Sequence, residues 1–214
     1  MITDWETRRD IVAFGTKIYR NGMAAATDGN ISMRMYTDRI MITPAGTSLG
    51  FLNANDLVYM DIDGNRLEYN CIPSSELPMH LEIYRQRSEI NAIIHAHPPY
   101  ATAFTLAKIT LSEPILPEVV VMMGEIPTAN YATPSTEESA EAIRPLIKNH
   151  DVILLDHHGA VACGKTLGEA YFKMEKLEHA AKTILAAKSL GDITPLNEEE
   201  LSKLMALKNR SNYG

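Results

Sequence analysis

Two imidazoles two residues apart, His95 and His97, close an apolar run, Ala92-Ile93-Ile94, whose residue types suit a buried strand. Alternate residues of a strand share a face, so both rings can reach one cation. Zinc accepts imidazole nitrogen, and in catalytic sites it takes three protein ligands and keeps one position open. A second strand-like run, Val152 to Leu155, ends in Asp156-His157-His158-Gly159 and offers the third imidazole; spacing alone admits either His157 or His158. Upstream, Pro73-Ser74-Ser75-Glu76 leads into a helical stretch over 77–87 with Pro78 in its first turn. Ser74 or Ser75 is the expected N-cap. Free backbone N–H groups, the helix dipole and two hydroxyls suit a phosphate there. Glu76 is then placed as an oxygen ligand or as a base. With three histidines it makes a complete tetrahedral set with one exchangeable member.

These groups need elements to hold them. Apolar residues recur at three- and four-residue intervals from Trp5 to Tyr19, which predicts a first helix over 4–21, capped at Thr3 and stopped at Gly22. Asp28-Gly29-Asn30 is a turn feeding a short strand, and Asn30 can offer its amide to an anion. Arg39 to Thr43 reads as a strand ended by Pro44-Ala45-Gly46, where Gly46 lets a backbone N–H approach a ligand closely. Leu57 to Met60 reads as another strand, with Asp63-Gly64 turning into a return strand near Arg66 to Tyr69. Helices are expected over 100–108, 135–148, 166–190 and beyond Asn197. The run Ile115 to Met123 reads as strand-like, with Glu118 as a charge at its edge. Strands in the middle with helices between and around them predict a mainly antiparallel central sheet flanked by helices, an α/β/α layering. No repeat, linker or low-complexity segment interrupts it, so residues 1–214 read as a single domain.

Composition narrows the function classes. Apolar residues make up 45%, enough for a full core, and the formal charge of -7 comes without a basic tract, which argues against nucleic acid and anionic membrane surfaces as partners. No apolar run approaches membrane-spanning length and no secretory signal opens the chain. Two cysteines, Cys71 and Cys163, make no disulfide framework. The expectation is a cytoplasmic protein with reduced thiols, and Cys163 reads as a small core residue.

Five segments carry a more specific signal: Gly29-Asn30-Ile31-Ser32, Ile42-Thr43-Pro44-Ala45-Gly46, Pro73-Ser74-Ser75-Glu76, His95-Ala96-His97 and His157-His158-Gly159. In their order and spacing the chain resembles, over nearly its whole length, the class II aldolase family that includes fuculose-phosphate aldolase, ribulose-phosphate 4-epimerase and the adducin head domain. The resemblance implies that family's fold, assembled as a homotetrameric ring with active sites between subunits. It implies a zinc ion, or manganese or another divalent metal in its place, held by His95, His97 and His158, with Glu76 as the fourth ligand in the resting site. It implies a phosphate pocket from Asn30, Gly46, Ser74 and Ser75. The activity implied is retro-aldol cleavage of a ketose 1-phosphate to dihydroxyacetone phosphate and an aldehyde, with Glu76 moving the proton on the carbon that becomes nucleophilic.

The chain departs from the fuculose branch at two places. Glu118 stands where that branch carries a tyrosine, supplied by the neighbouring subunit, that handles the aldehyde-side proton. Ala45 replaces a hydroxyl residue of its phosphate loop. Glu118, or Tyr213 of the C-terminal Tyr213-Gly214 pair, is left to take the second proton. Two other readings stand beside the aldolase. One is a sugar-phosphate 4-epimerase or sugar-acid phosphate decarboxylase of the same family; the epimerase branch has aspartate where this chain has Glu76. The other is a non-catalytic, adducin-like binding module.

Overall fold

Thr3 closes the start of the first helix as its place before Asp4-Trp5-Glu6 predicts. In the computed structural model, which describes residues 3–68 and 71–210, its hydroxyl accepts from Glu6 N–H while the Glu6 carboxylate accepts from Thr3 N–H. Helix α1 (Asp4–Arg20) therefore begins with a capping box, and positive φ at Gly22 follows its end. Among the described residues, seven strands form one sheet: β1 (Asn30–Tyr36), β2 (Arg39–Ile42), β3 (Val58–Asp61), β4 (Ala92–Ala96), β5 (Thr128–Ala129), β6 (Val152–Leu155) and β7 (Gly159–Gly164). Their order across the sheet is β3-β2-β1-β4-β7-β6-β5, and every pair is antiparallel except β5 with β6.

Side-chain alternation sorts the core into two layers. Ile31, Met33, Ile94 and Ala162 point to one face and pack under α1, α3 (Pro99–Leu106) and α6 (Leu167–Leu190). Ile42, Ile93, Val161 and Cys163 point to the other, under α2 (Leu77–Gln86) and α5 (Glu137–Ile147). The expected α/β/α layering is thus observed. Asn30, Ser32 and His95 fall in step with the second set, so the polar chemistry of β1 and β4 faces α2. Burial pushes the Cys163 thiol up to about 12, which suits its place as a packing residue. Among the described residues, no helix is long and apolar enough to cross a membrane.

Several local expectations are corrected. The Ile115–Met123 run is not a strand: Pro117 opens a short helix, α4 (Pro117–Met122), and Glu118 lies in its first turn. Proline fits there because a first-turn N–H has no intrahelical partner to lose. The return strand after Asp63-Gly64 reduces, among the described residues, to one bridge between Met60 and Arg66. The N-cap of α2 is Glu76, not Ser74 or Ser75. Residues 72–74 stay extended because they zip onto the turn after β2, with Ala45 N–H donating to Ile72 O and Ser74 N–H to Thr43 O. Beyond α6, Asn197 and Glu200 cap α7 (Glu198–Arg210) reciprocally, as expected.

Candidate active site

The sheet register brings the site together. Asn30 opens β1 directly opposite His95 near the end of β4, and Ala96 pairs with Ala160 at the start of β7. His158 closes the turn between β6 and β7, its N–H donating to Leu155 O. Gly159 is required beside it: a Cβ there would lie 2.4 Å from Ala96 O and 2.8 Å from His97 Cδ2. The backbone approach that glycine permits lets His158 stand over the His95-Ala96-His97 segment.

The rings of His95, His97 and His158 form a nearly equilateral triangle, with centroid separations of 4.9, 4.7 and 4.7 Å. One ring nitrogen from each lies within 4.8 Å of the other two. His95 Nδ1–H donates to Ala160 O at 3.0 Å, which leaves Nε2 with its lone pair, 3.1 Å from His97 Nε2. His97 turns its Nδ1 toward Asp28, at 3.4 Å. Burial, reinforced by the neighbouring imidazoles, holds His95 well below the ordinary histidine range, and His158 is shifted the same way by burial and His97. Three ring nitrogens gathered this closely offer a donor set that one cation can share. Two nitrogens each about 2.0 Å from a tetrahedral zinc stand roughly 3.3 Å apart, close to the spacing found here. His157 is turned away instead, with φ of 59° and its Nδ1 3.0 Å from Asp156 Oδ1.

Glu76 is 7% exposed and borders the triad without belonging to the set of mutually close ligand atoms. Its Oε1 accepts from Ser135 N–H at 2.7 Å, whereas its buried Oε2 has no hydrogen-bond partner among the described residues. A buried carboxylate oxygen left unpaired beside three imidazoles fits a divalent cation or a transferring proton. Asn30, Gly46, Ser74 and Ser75 share with Glu76 and the triad one cleft of about 190 Å³. Gly46 has φ of 67°, a left-handed turn conformation that glycine adopts without strain. Glu118 is exposed on α4 and does not line the cleft. Tyr213 lies outside the described residues.

Four residues to which the sequence assigned no role in the site support it. His80 of α2 is fully buried, its Nε2–H donating to Asn30 Oδ1 at 2.6 Å. Its Nδ1 accepts from Ser32 Oγ at 2.7 Å, and the Ser32 oxygen accepts from Tyr84 O–H at 2.8 Å. This relay engages the carbonyl end of the Asn30 amide and leaves the NH₂ end as the donor available to the cleft. One sequence signal existed: Ser32 is polar between inward-facing Ile31 and Met33, and His80 lies one helical turn after Glu76. Ser135, the fourth, carried no signal beyond that of a helix cap.

The chain is similar to known proteins along most of its length. The family described as Class II Aldolase and Adducin N-terminal domain matches residues 9–185. An L-fuculose phosphate aldolase of Methanococcus vannielii is 39% identical over 165 residues, 77% of this chain and 88% of that protein. A 3-oxo-tetronate 4-phosphate decarboxylase of Pectobacterium atrosepticum is 32% identical over 208 residues, 94% of each chain. A solved L-fuculose 1-phosphate aldolase superposes with a TM-score of 0.85 at 32% identity, covering 95% of this chain and 96% of its own.

Proposed function

The chain belongs to the class II aldolase and adducin family of enzymes, and from that premise we propose that it is a metal-dependent aldolase cleaving a ketose 1-phosphate to dihydroxyacetone phosphate and an aldehyde. One observation carries this reading: three imidazole nitrogens, a buried carboxylate with an unpartnered oxygen, and a set of anion-binding groups share a single cleft. His95, His97 and His158 would hold the divalent ion, zinc by the chemistry of the donors, and Glu76 would complete the set. When bound, the ion supplies Lewis-acid stabilisation of the oxyanion that develops on the ketone.

The remaining steps belong to the chain's own residues. The Asn30 amide, Ser74, Ser75 and the backbone at Gly46 hold the phosphate without lysine or arginine, which suits an acidic chain. Cleavage breaks the bond between C3 and C4. The C4 hydroxyl gives up its proton to a second group as the aldehyde forms, and the electron pair left at C3 takes a proton from Glu76. Glu118 of an adjoining copy, or Tyr213, is the proposed second group; the place of Glu118 outside its own chain's cleft favours a contribution across a subunit interface in a homotetramer. Glu118→Gln is then expected to lower turnover about 100-fold while metal content stays at the wild-type level. Unchanged turnover would remove Glu118 from the mechanism. The whole chain acts as one domain in this proposal, in the cytoplasm.

The decarboxylase relative favours one further reading. Loss of carbon dioxide from a 3-oxo-tetronate 4-phosphate also leaves dihydroxyacetone phosphate, and also leaves an electron pair at the carbon beside the ketone. The same triad and Glu76 could serve both reactions. The test is a panel of ketose 1-phosphates assayed for dihydroxyacetone phosphate, with and without chelator, beside the 3-oxo acid phosphate assayed for carbon dioxide. Chelator-sensitive release from a ketose 1-phosphate supports the aldolase. Release only from the 3-oxo acid phosphate assigns the decarboxylase. No turnover of either after zinc or manganese is added leaves the binding module.

A further inference from the structure

We propose that Ser135 is a positioning residue that latches the Glu76 carboxylate at the edge of the imidazole cluster, with one oxygen tethered and the other free to move a proton. The proposal rests on the reading of Glu76 as the proton-transfer group. Glu76 Oε1 takes two hydrogen bonds from one residue, from Ser135 N–H at 2.7 Å and from Ser135 Oγ–H at 3.1 Å. With its one proton given to Glu76, the Ser135 hydroxyl oxygen accepts from Ser75 Oγ–H across the 2.7 Å contact between them. Glu76 Oε2 remains buried and unpartnered. Two donors on one oxygen fix the plane of the carboxylate and leave Oε2 as the oxygen free to exchange a proton.

The backbone supplies a second argument. Ser135 has φ of 64°, in the left-handed region that glycine enters freely and serine does not. Glycine would suit the turn better and would keep the N–H bond to Glu76. What serine adds is its hydroxyl, and both contacts of that hydroxyl are to the cleft residues Ser75 and Glu76. Strain held at such a position is the mark of a group kept for its site. Ser135 stands just before Thr136, the N-cap of α5, and Glu76 is the N-cap of α2, so the latch also joins the starts of the two helices on that face.

Ser135→Gly separates latch from scaffold, since it deletes the hydroxyl while relieving the backbone. The readout is exchange of the C3 proton of dihydroxyacetone phosphate with D2O, followed by NMR on metal-replete protein. That step needs Glu76 but neither an aldehyde nor the second proton-transfer group. Expected is exchange slowed about tenfold, the scale of one hydrogen bond to a charged group. Bound metal per chain should be unchanged, and the thermal midpoint unchanged or raised. A merely structural serine would lower the midpoint together with the rate. Ser135→Ala, which keeps the strained φ, should slow exchange equally. Wild-type exchange in Ser135→Gly, with exchange abolished in Glu76→Gln, overturns the latch and leaves the reading of Glu76 standing. Wild-type exchange in Glu76→Gln overturns that reading itself. Metal lost in step with exchange in Ser135→Gly would make Ser135 a support of the ion and also overturns the latch.

Discussion

His95→Ala is expected to give a folded chain that retains no divalent ion and turns over at least about 1,000-fold more slowly than wild type. His95 is the most enclosed of the triad, 1% exposed, with its tautomer fixed by the hydrogen bond to Ala160 O. Such an outer hydrogen bond orients a ligating imidazole and raises its basicity. With alanine there, two imidazoles remain, one fewer than catalytic zinc sites use. The fold should survive because Ala96 pairs with Ala160 and the flanking β4–β7 register persists. Plasma mass spectrometry of purified protein, circular dichroism and turnover with added zinc or manganese decide the matter. A variant that keeps its metal sinks the assignment of the triad. Should His95→Ala not fold, His97→Ala at the more open end of the cluster carries the same expectation.

The parts of the site that could be read from the sequence are those fixed by local geometry. His95 and His97 are two residues apart, and strand parity puts them on one side whatever the rest of the chain does. The choice of His158 over His157 needed either the family resemblance or the turn itself, because His157 adopts positive φ and turns its ring to Asp156. Local propensity failed where a longer contact overrode it. Ser74 and Ser75 look like caps, yet backbone pairing of residues 72–74 with the Thr43–Ala45 turn keeps Ser74 extended, Ser75 turns, and the helix start shifts to Glu76. The Val119-Val120-Val121 run favours a strand by residue type, but Pro117 and a length of one and a half turns make α4, since so short an apolar run has no resolvable period. Ser135 and Glu76 are 59 residues apart and His80 and Asn30 are 50 apart. Nothing in either local pattern announces such a pairing, because each partner is a polar residue with an ordinary local explanation.

His80 leads to the second large effect. His80→Leu is expected to destabilise the fold by about 3 kcal/mol, because it leaves Asn30 Oδ1 and Ser32 Oγ buried without their shared partner. The freed Asn30 amide no longer presents its NH₂ to the cleft in one orientation. KM for the phosphorylated substrate should therefore rise about tenfold, with kcat changed less. The effect on stability depends on pH in a definite direction. Burial lowers the His80 imidazole from 6.5 to about 3 in the folded chain. The unfolded chain therefore binds the extra proton between those values, and folding stability falls as pH drops below 6.5 and is unaffected above it. Between pH 7 and pH 5 the loss from this one group is about 2 kcal/mol. His95 and His158 shift in the same direction but are present in both proteins, so the comparison isolates His80. The stability gap between wild type and His80→Leu should narrow by that amount when urea denaturation is repeated at pH 5. A gap that stays constant or widens would mean that His80 is charged in the native state, with its Nδ1–H donating to Ser32 Oγ while Asn30 Oδ1 still accepts from Nε2–H.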